Sequence, residues 1–333
     1  MRTNKEVRTL QKHSDVIFLG VGDKSKCYVS AYCKEVILVR GKRNSIPVLT
    51  KQVLIFIKLI ISRRIKSIHI INEGFYSILY PLLFFKHTVL DLFDSVFLRK
   101  NLSREKIKWL KRLLYWPANK IIVTDQNRYE LMPESVQGKC IVLPNYPERF
   151  YLKNEKEKSD SLRILFNGWM GLNRGTEVIE GLLKTKLPVK VFMAGWFSDN
   201  YTKELISRYP DKIEFLGVVP QQSALELAQT KVDYILCVYA PINENNVNAS
   251  PNKVYDAIQT ETPLIINSEI KISKWVDEKE IGFILPEYAV ADYRKLYHDL
   301  QNDKNSFGFN KELKAAHTWE VVEDNLLRAH KLK

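Results

Sequence analysis

Asn248-Ala-Ser-Pro-Asn-Lys-Val-Tyr-Asp256, followed shortly by the apolar run Pro263-Leu-Ile-Ile266, reads as a helix start, a short helix and then a buried strand. Ser250 is a good N-cap, and Pro251 at the first helical position loses no hydrogen bond, because its missing N–H would have had no intrahelical partner. The next N–H groups, of Asn252 and Lys253, then point out of the helix unpartnered, and such a terminus attracts anions. Lys253 is the oddity, since the macrodipole disfavours a cation in the first turn by about 0.3–1 kcal/mol. A residue that breaks a local rule points to a functional site, and here to one that holds a diphosphate. The same residues can also be read as an ordinary capped helix with a solvated lysine.

Working outward, the second half repeats the strand-then-helix pattern of that stretch. Leu162–Phe166 is a strand, Gly168 to Gly175 a loop and Thr176 to Leu183 a helix. Strands follow at Pro188–Gly195, Ile213–Gly217, Tyr234–Val238, Leu264–Ile266 and Gly282–Leu285, with closing helices over about 291–301 and 318–331. The first half carries strands at 16–19, 36–39, 67–71, 88–91, 120–124 and 140–143, with a helix over about 48–62. Alternation of this kind predicts α/β architecture with mostly parallel sheets covered on both faces. Pro144-Asn-Tyr-Pro147 and the charged run 153–161 mark a boundary, giving domains over 1–150 and 151–317 and a closing helix over 318–333. Two Rossmann-like halves in tandem bring two sets of strand C-termini to one cleft, where ligands of open α/β sheets bind.

The 333 residues suffice for two cores, and 45% apolar with 27% charged residues is a globular composition. The longest apolar run, Val53 to Ile61, is interrupted by Lys58 and falls well short of the ~20 residues that span a bilayer. The N-terminus lacks the apolar core of a signal peptide, so a cytoplasmic location is expected. Cys27, Cys33, Cys140 and Cys237 are scattered without metal spacing and are expected as free thiols; no metal site is expected. Net charge is +13 and unevenly placed: residues 1–150 hold 27 Lys+Arg against 12 Asp+Glu, residues 151–333 hold 24 against 26. This asymmetry suggests an acidic partner for the first half. Within it, Arg104 to Trp116 reads as a basic amphipathic helix with Ile107, Leu110, Leu113 and Leu114 on one face and Trp109 and Trp116 beside them. It can lie on anionic lipid or be a surface helix with its lysines in water. Nucleic-acid binding fits the charge, but no recognition motif accompanies it, and none is expected.

The second half resembles the donor domain of GT-B glycosyltransferases, most closely family 4 as found in bacterial surface-polysaccharide pathways. The matching pieces are Phe166-Asn-Gly168 with Asn173-Arg-Gly175, Met193-Ala-Gly195, Phe215-Leu-Gly217, and Ser250 to Ala257 with Pro263–Ile266. Thr318-Trp-Glu320 resembles the family's last helix, which returns to the first domain. The resemblance implies a retaining glycosyltransferase that moves a sugar from a nucleotide-diphosphate donor to a saccharide or undecaprenyl-linked acceptor in O-antigen, capsule or exopolysaccharide synthesis, without a cofactor or metal. Negative charge develops on the leaving diphosphate, so cations and free N–H groups should surround it. Arg174 and Lys253 supply the cations, with Gly168, Ser250 and Asn252 beside them, and Arg suits bidentate phosphate binding. The family's ribose-binding carboxylate is Asp256. The carboxylate eight residues earlier is replaced by Asn248, which still hydrogen-bonds hydroxyls, and the usual glycine of the following turn is Glu261. Leu216 and Val218 stand where the base is contacted.

On the acceptor side, Glu73 and Asp94 follow the third and fourth strands in loops expected to face the cleft. Each reads as a base, as a ligand for acceptor hydroxyls, or as a solvated loop carboxylate. Gly20 and Gly22 would let the first loop approach the donor. Two other readings stay open: a sugar-nucleotide 2-epimerase, and a noncatalytic GT-B-like scaffold, which the Asn248/Asp256 pair invites.

Overall fold

A computed structural model describes residues 2–62, 65–98, 104–151 and 155–333. Residues 152–154, within the expected linker, lie outside that description. The chain runs α1 (Arg2–Leu10), β1 (Ile17–Val21), β2 (Glu35–Val39), α2 (Ile46–Ser62), β3 (Ser67–Ile71), α3 (Glu73–Leu79), β4 (His87–Leu92), α4 (Arg104–Leu114), β5 (Lys120–Val123), α5 (Gln126–Glu130), α6 (Glu134–Gln137) and β6 (Cys140–Val142). It continues with β7 (Leu162–Met170), α7 (Thr176–Lys184), β8 (Val189–Phe197), α8 (Asn200–Arg208), β9 (Ile213–Phe215), α9 (Gln221–Lys231) and β10 (Tyr234–Leu236). The remainder is α10 (Glu244–Val247), α11 (Asn252–Thr260), β11 (Leu264–Asn267), α12 (Ser273–Glu278), β12 (Gly282–Leu285), α13 (Tyr293–Asp303), α14 (Lys311–Ala316) and α15 (Trp319–Ala329). Two compact units result, one of residues 1–145 with 319–333 and one of residues 146–318. The first division therefore falls five residues before the expected boundary, and the last helix belongs with the first unit.

In the second unit six parallel strands pair in the order β12-β11-β10-β7-β8-β9. Period-two alternation sends Leu162, Ile164 and Phe166 into a core with α7 and α13, while Leu165 joins a second core with Val254, Ala257 and Ile258 of α11. Burial on both faces is what a near-continuous apolar strand in a parallel sheet requires.

In the first unit β3-β4-β5-β6 form one parallel sheet, and β1 and β2 form a separate two-stranded parallel ladder. A single core gathers Ile68, Ile70, Leu90, Leu92, Ile121 and Val123 with Tyr76, Leu79 and Tyr115. Helix α1, which the periodicity does not announce, is docked largely through charge. Arg2 donates to Glu6 (2.7 Å), Asp91 (2.8 Å) and the Leu143 carbonyl (3.0 Å), with its guanidinium over the Phe93 ring. Glu6, Asp91 and His69 converge beside it; burial, with the Asp91 charge adding to it, raises the Glu6 carboxyl to about 7. His69 stacks on His330, whose ring burial lowers to about 2. Trp319 donates its indole N–H to Thr9 (3.0 Å), and Asn325 donates to the Val142 carbonyl (3.1 Å), which ties α15 to this unit.

Candidate functional site

The second unit assembles the strongest site at the C-terminal ends of β7, β8 and β10. Strand β7 runs past Phe166 to Met170, so Gly168, read from sequence as the start of a loop, lies inside the ladder opposite Gly195. The Gly195 N–H donates to the Gly217 carbonyl (2.8 Å), so three glycines line up across neighbouring strand ends. Gly195 has φ +140°, and a Cβ there would lie 2.0 Å from the Gly168 carbonyl oxygen. Only glycine permits that approach of the two strands.

After β7 the chain turns at Gly171 and reaches Gly175 (φ +113°), the N-cap of α7, packed so closely on Leu236 of β10 that a side chain would collide. Tyr288 braces this turn: its hydroxyl accepts from the Gly175 N–H (3.2 Å) and donates to Glu177 (2.6 Å). The turn sets Arg174, half-buried, with its guanidinium 5.3 Å from the Tyr239 ring centroid just beyond β10.

Lys253 approaches the same strand end from α11. Its Nζ donates to the Leu236 carbonyl (2.7 Å) and lies 5.8 Å from the Phe166 ring centroid. Burial lowers this ammonium to about 8; Arg174 pushes in the same direction, and Asp256 opposes it. The helix start differs from the sequence reading. Pro251 itself is the N-cap (ψ 130°) and α11 begins at Asn252, so Ser250 does not cap it. Proline has no side-chain oxygen to offer the first turn. Among the described residues no acceptor meets the N–H groups of Asn252 and Lys253, while that of Val254 returns to the Pro251 carbonyl (3.1 Å). Two cations and two open N–H groups therefore share one strand-end region, a chemistry fitted to oxyanions.

Asp256 is half-buried one turn after Lys253 and accepts from Gln221 (3.0 Å). Asn248 is buried at the C-terminal end of α10, and its amide donates to the carbonyl (2.8 Å) and carboxylate (2.9 Å) of Glu244, the first residue of that helix. Those donors are committed locally, so the expected bonding of Asn248 to ligand hydroxyls is left to Oδ1, a buried acceptor with no partner. Leu216 packs into the core and donates its N–H to Met193 (2.9 Å), whereas Val218 is 52% exposed. Glu261 takes the left-handed conformation (φ 54°), which favours glycine, and pairs with Lys314 (3.0 Å). Trp169 and Trp196, not among the residues expected at the site, form an exposed edge-to-face pair 6.0 Å apart immediately after Gly168 and Gly195. The repeated Gly-Trp at two strand ends was the available signal.

In the first unit Glu73 is not a free loop carboxylate. It is 1% exposed at the start of α3 and accepts from Ser95 (2.6 Å), Tyr115 (2.7 Å) and the Val96 N–H (3.3 Å). A base or hydroxyl-binding role would require it to leave this network. Asp94 is exposed, in a loop pinned by Asn72, which accepts from the N–H groups of Phe93 (2.8 Å) and Asp94 (3.0 Å). Gly20 lies within β1, against Phe18 and Leu38, so its smallness serves packing; Gly22 follows the strand in open space with φ +147°.

Neither a protein-family model nor a curated protein sequence matches this chain. Solved structures do. A glycosyltransferase from Rickettsia africae aligns with a TM-score of 0.65 at 14% identity over 99% of this chain and 90% of that one. Sucrose-phosphate synthase from Thermosynechococcus elongatus gives 0.70 at 14% identity over 99% and 92%. HepE from Anabaena, in complex with UDP and glucose, gives 0.63 at 12% identity over 99% and 94%. At such identities the likeness establishes architecture, and with the two parallel-sheet units it leads to one conclusion: the chain has the GT-B fold.

Proposed function

We propose that this protein is a glycosyltransferase that takes a sugar from a nucleotide-diphosphate donor and transfers it, with retention, to a saccharide or undecaprenyl-linked saccharide acceptor. The observation that carries the reading is Lys253, a partly desolvated ammonium beside Arg174 and an uncapped helix start. An anion between them would restore the full charge of Lys253 and engage the open N–H groups. As the glycosyl bond breaks, the diphosphate gains charge, and these groups stabilise it more than the ground state. In this reading the cations are Arg174 and Lys253 rather than a metal ion, so transfer should survive EDTA. Asp256 takes ribose hydroxyls, and Val218 lies near the base. Asp94 contacts the acceptor, with the leaving phosphate itself able to accept its proton. The activity belongs to cell-surface polysaccharide assembly at the cytoplasmic side of the membrane, a reading supported by the resemblance to family 4. The Anabaena neighbour that holds UDP and glucose supports the donor class.

Thermal shift against UDP, GDP, ADP, CMP and dTDP tests the donor site, since a ligand that binds only the folded state raises its apparent stability. One diphosphate should shift the melting temperature, and Lys253→Ala should abolish the shift. No shift with any nucleotide would sink the proposal. Asn248 favours a second reading, a scaffold that binds donor without turning it over, because its donors are spent on Glu244. Nucleotide binding without transfer or donor hydrolysis would select that reading.

A further inference from the structure

Helix α4 carries two apolar faces. At 100° per residue, Ile107, Leu110 and Leu114 fall on one side and pack against the core of the first unit. Trp109 and Leu113, with Trp116 on the turn that follows, fall on the opposite side and are 59%, 43% and 67% exposed. Leu113 thus faces outward, not inward with Ile107 and Leu110 as its spacing suggested. The outward stripe continues onto the preceding segment. Phe84, 50% exposed, meets Trp116 edge to face at 5.9 Å, and Tyr80 bonds the Leu113 carbonyl (2.9 Å). The stripe is therefore held in place by the core beneath it.

Cations flank it on both sides. Lys106 lies one turn before Trp109, Lys108 and Arg112 lie along the other border, and Lys139 donates to the Trp116 carbonyl (2.7 Å). Among these residues Glu105 is the counter-charge, 3.3 Å from Lys108. Tryptophan and leucine bordered by Lys and Arg is the composition of a helix lying in a bilayer interface, where indoles sit at headgroup level and cations meet anionic lipid. A protein partner would need a complementary acidic rim, and a second copy would bring the same positive border against itself. Charge complementarity therefore favours lipid.

We infer that the outward face of α4, with Trp116 and Phe84, is a docking surface for an anionic membrane. Binding is independent of the donor site and should occur without nucleotide, so its failure is separable from failure of the proposed activity. The test is co-sedimentation of the full chain with vesicles of phosphatidylcholine alone and of phosphatidylcholine mixed with phosphatidylglycerol. Anionic vesicles should retain the protein, high salt should weaken the binding, and brominated lipid should quench tryptophan fluorescence. Trp109→Ser with Trp116→Ser should lower vesicle affinity by about tenfold or more and remove most of the quenching. Lys106→Gln with Lys108→Gln should weaken binding and reduce its salt dependence. Both pairs are surface changes, and an unaltered circular-dichroism melt would verify folding. Equal retention on neutral vesicles, or undiminished binding of the double Trp variant, overturns the inference. So does a wild-type dimer that the double Trp variant dissolves while neither form binds lipid.

Discussion

Lys253 is where charge and burial meet most directly. Its Nζ donates to the Leu236 carbonyl, and desolvation lowers the ammonium from about 10.5 to about 8. Only the protonated form attracts a diphosphate, and the neutral form accumulates as pH rises through 8. Diphosphate affinity should hold between pH 6.5 and 7.5 and fall about tenfold by pH 9, by calorimetry, with no such fall in Lys253→Gln. At neutral pH that variant should itself bind about 10- to 100-fold more weakly, the loss of a charge-assisted hydrogen bond of about 1.5–3 kcal/mol. Glu73 and Asp94 separate at this scale as well. Glu73→Ala leaves Tyr115 and Ser95 without their buried acceptor and should cost about 2–3 kcal/mol in denaturant unfolding. Asp94→Asn should leave stability within about 0.5 kcal/mol and lower turnover instead. If Glu73→Ala kept its stability and lost only activity, Glu73 would be the acceptor-side residue after all.

Among the elements, β7 and β8 fix the site most tightly. Their ladder runs on to Met170 and Phe197, which places Gly168 and Gly195 in register and sends the following turn, with Arg174, toward β10. Gly195→Ala forces a Cβ onto a backbone carbonyl that has no freedom to move aside. It should cost about 3 kcal/mol or more and deprive the second unit of its nucleotide response even where protein is recovered. The loop expected from Gly168 to Gly175 was misplaced because glycine in sequence signals a turn, while here it marks close strand contact. The helix start at α11 slipped by one residue for a related reason: Pro251 fits both N-cap and first helical position, and its ψ of 130° decides between them.

For the molecule as a whole, chain order and spatial order part company at the last helix. α15 lies beside α1, and Trp319 bonds Thr9 while the Thr9 hydroxyl donates to Glu323 (2.7 Å). Trp319→Ala should loosen the first unit by about 3 kcal/mol, seen as faster hydrogen exchange in residues 2–10, and leave nucleotide-induced stabilisation of residues 146–318 unchanged. Loss of that nucleotide response would show instead that α15 supports the donor site. The positive excess of residues 1–150 likewise divides between uses. Arg2 is consumed in the buried network with Glu6 and Asp91, whereas Lys106, Lys108 and Arg112 remain at the surface.

The amino-acid sequence by itself determined the strands, their alternation with helices, the two-unit division and the cationic stretch around Lys253. Each is a local matter of apolar periodicity, turn residues or a charge out of place, and each is read within about ten residues. Only the tertiary structure decided what depends on partners far along the chain. Helix α1 has two apolar positions, Val7 and Leu10, and is held by Asp91, Leu143 and α15, so its own residues could not announce it. Glu73 resembles any loop carboxylate until Ser95 and Tyr115 close on it, and Asn248 looks free until Glu244 takes its amide. Leu113 and Trp109 gave the same ambiguity in reverse, since a two-faced helix shows which side is core only when the sheet is packed against it. Burial and hydrogen-bond satisfaction are properties of the assembled neighbours, and they settle which polar groups remain to meet a ligand.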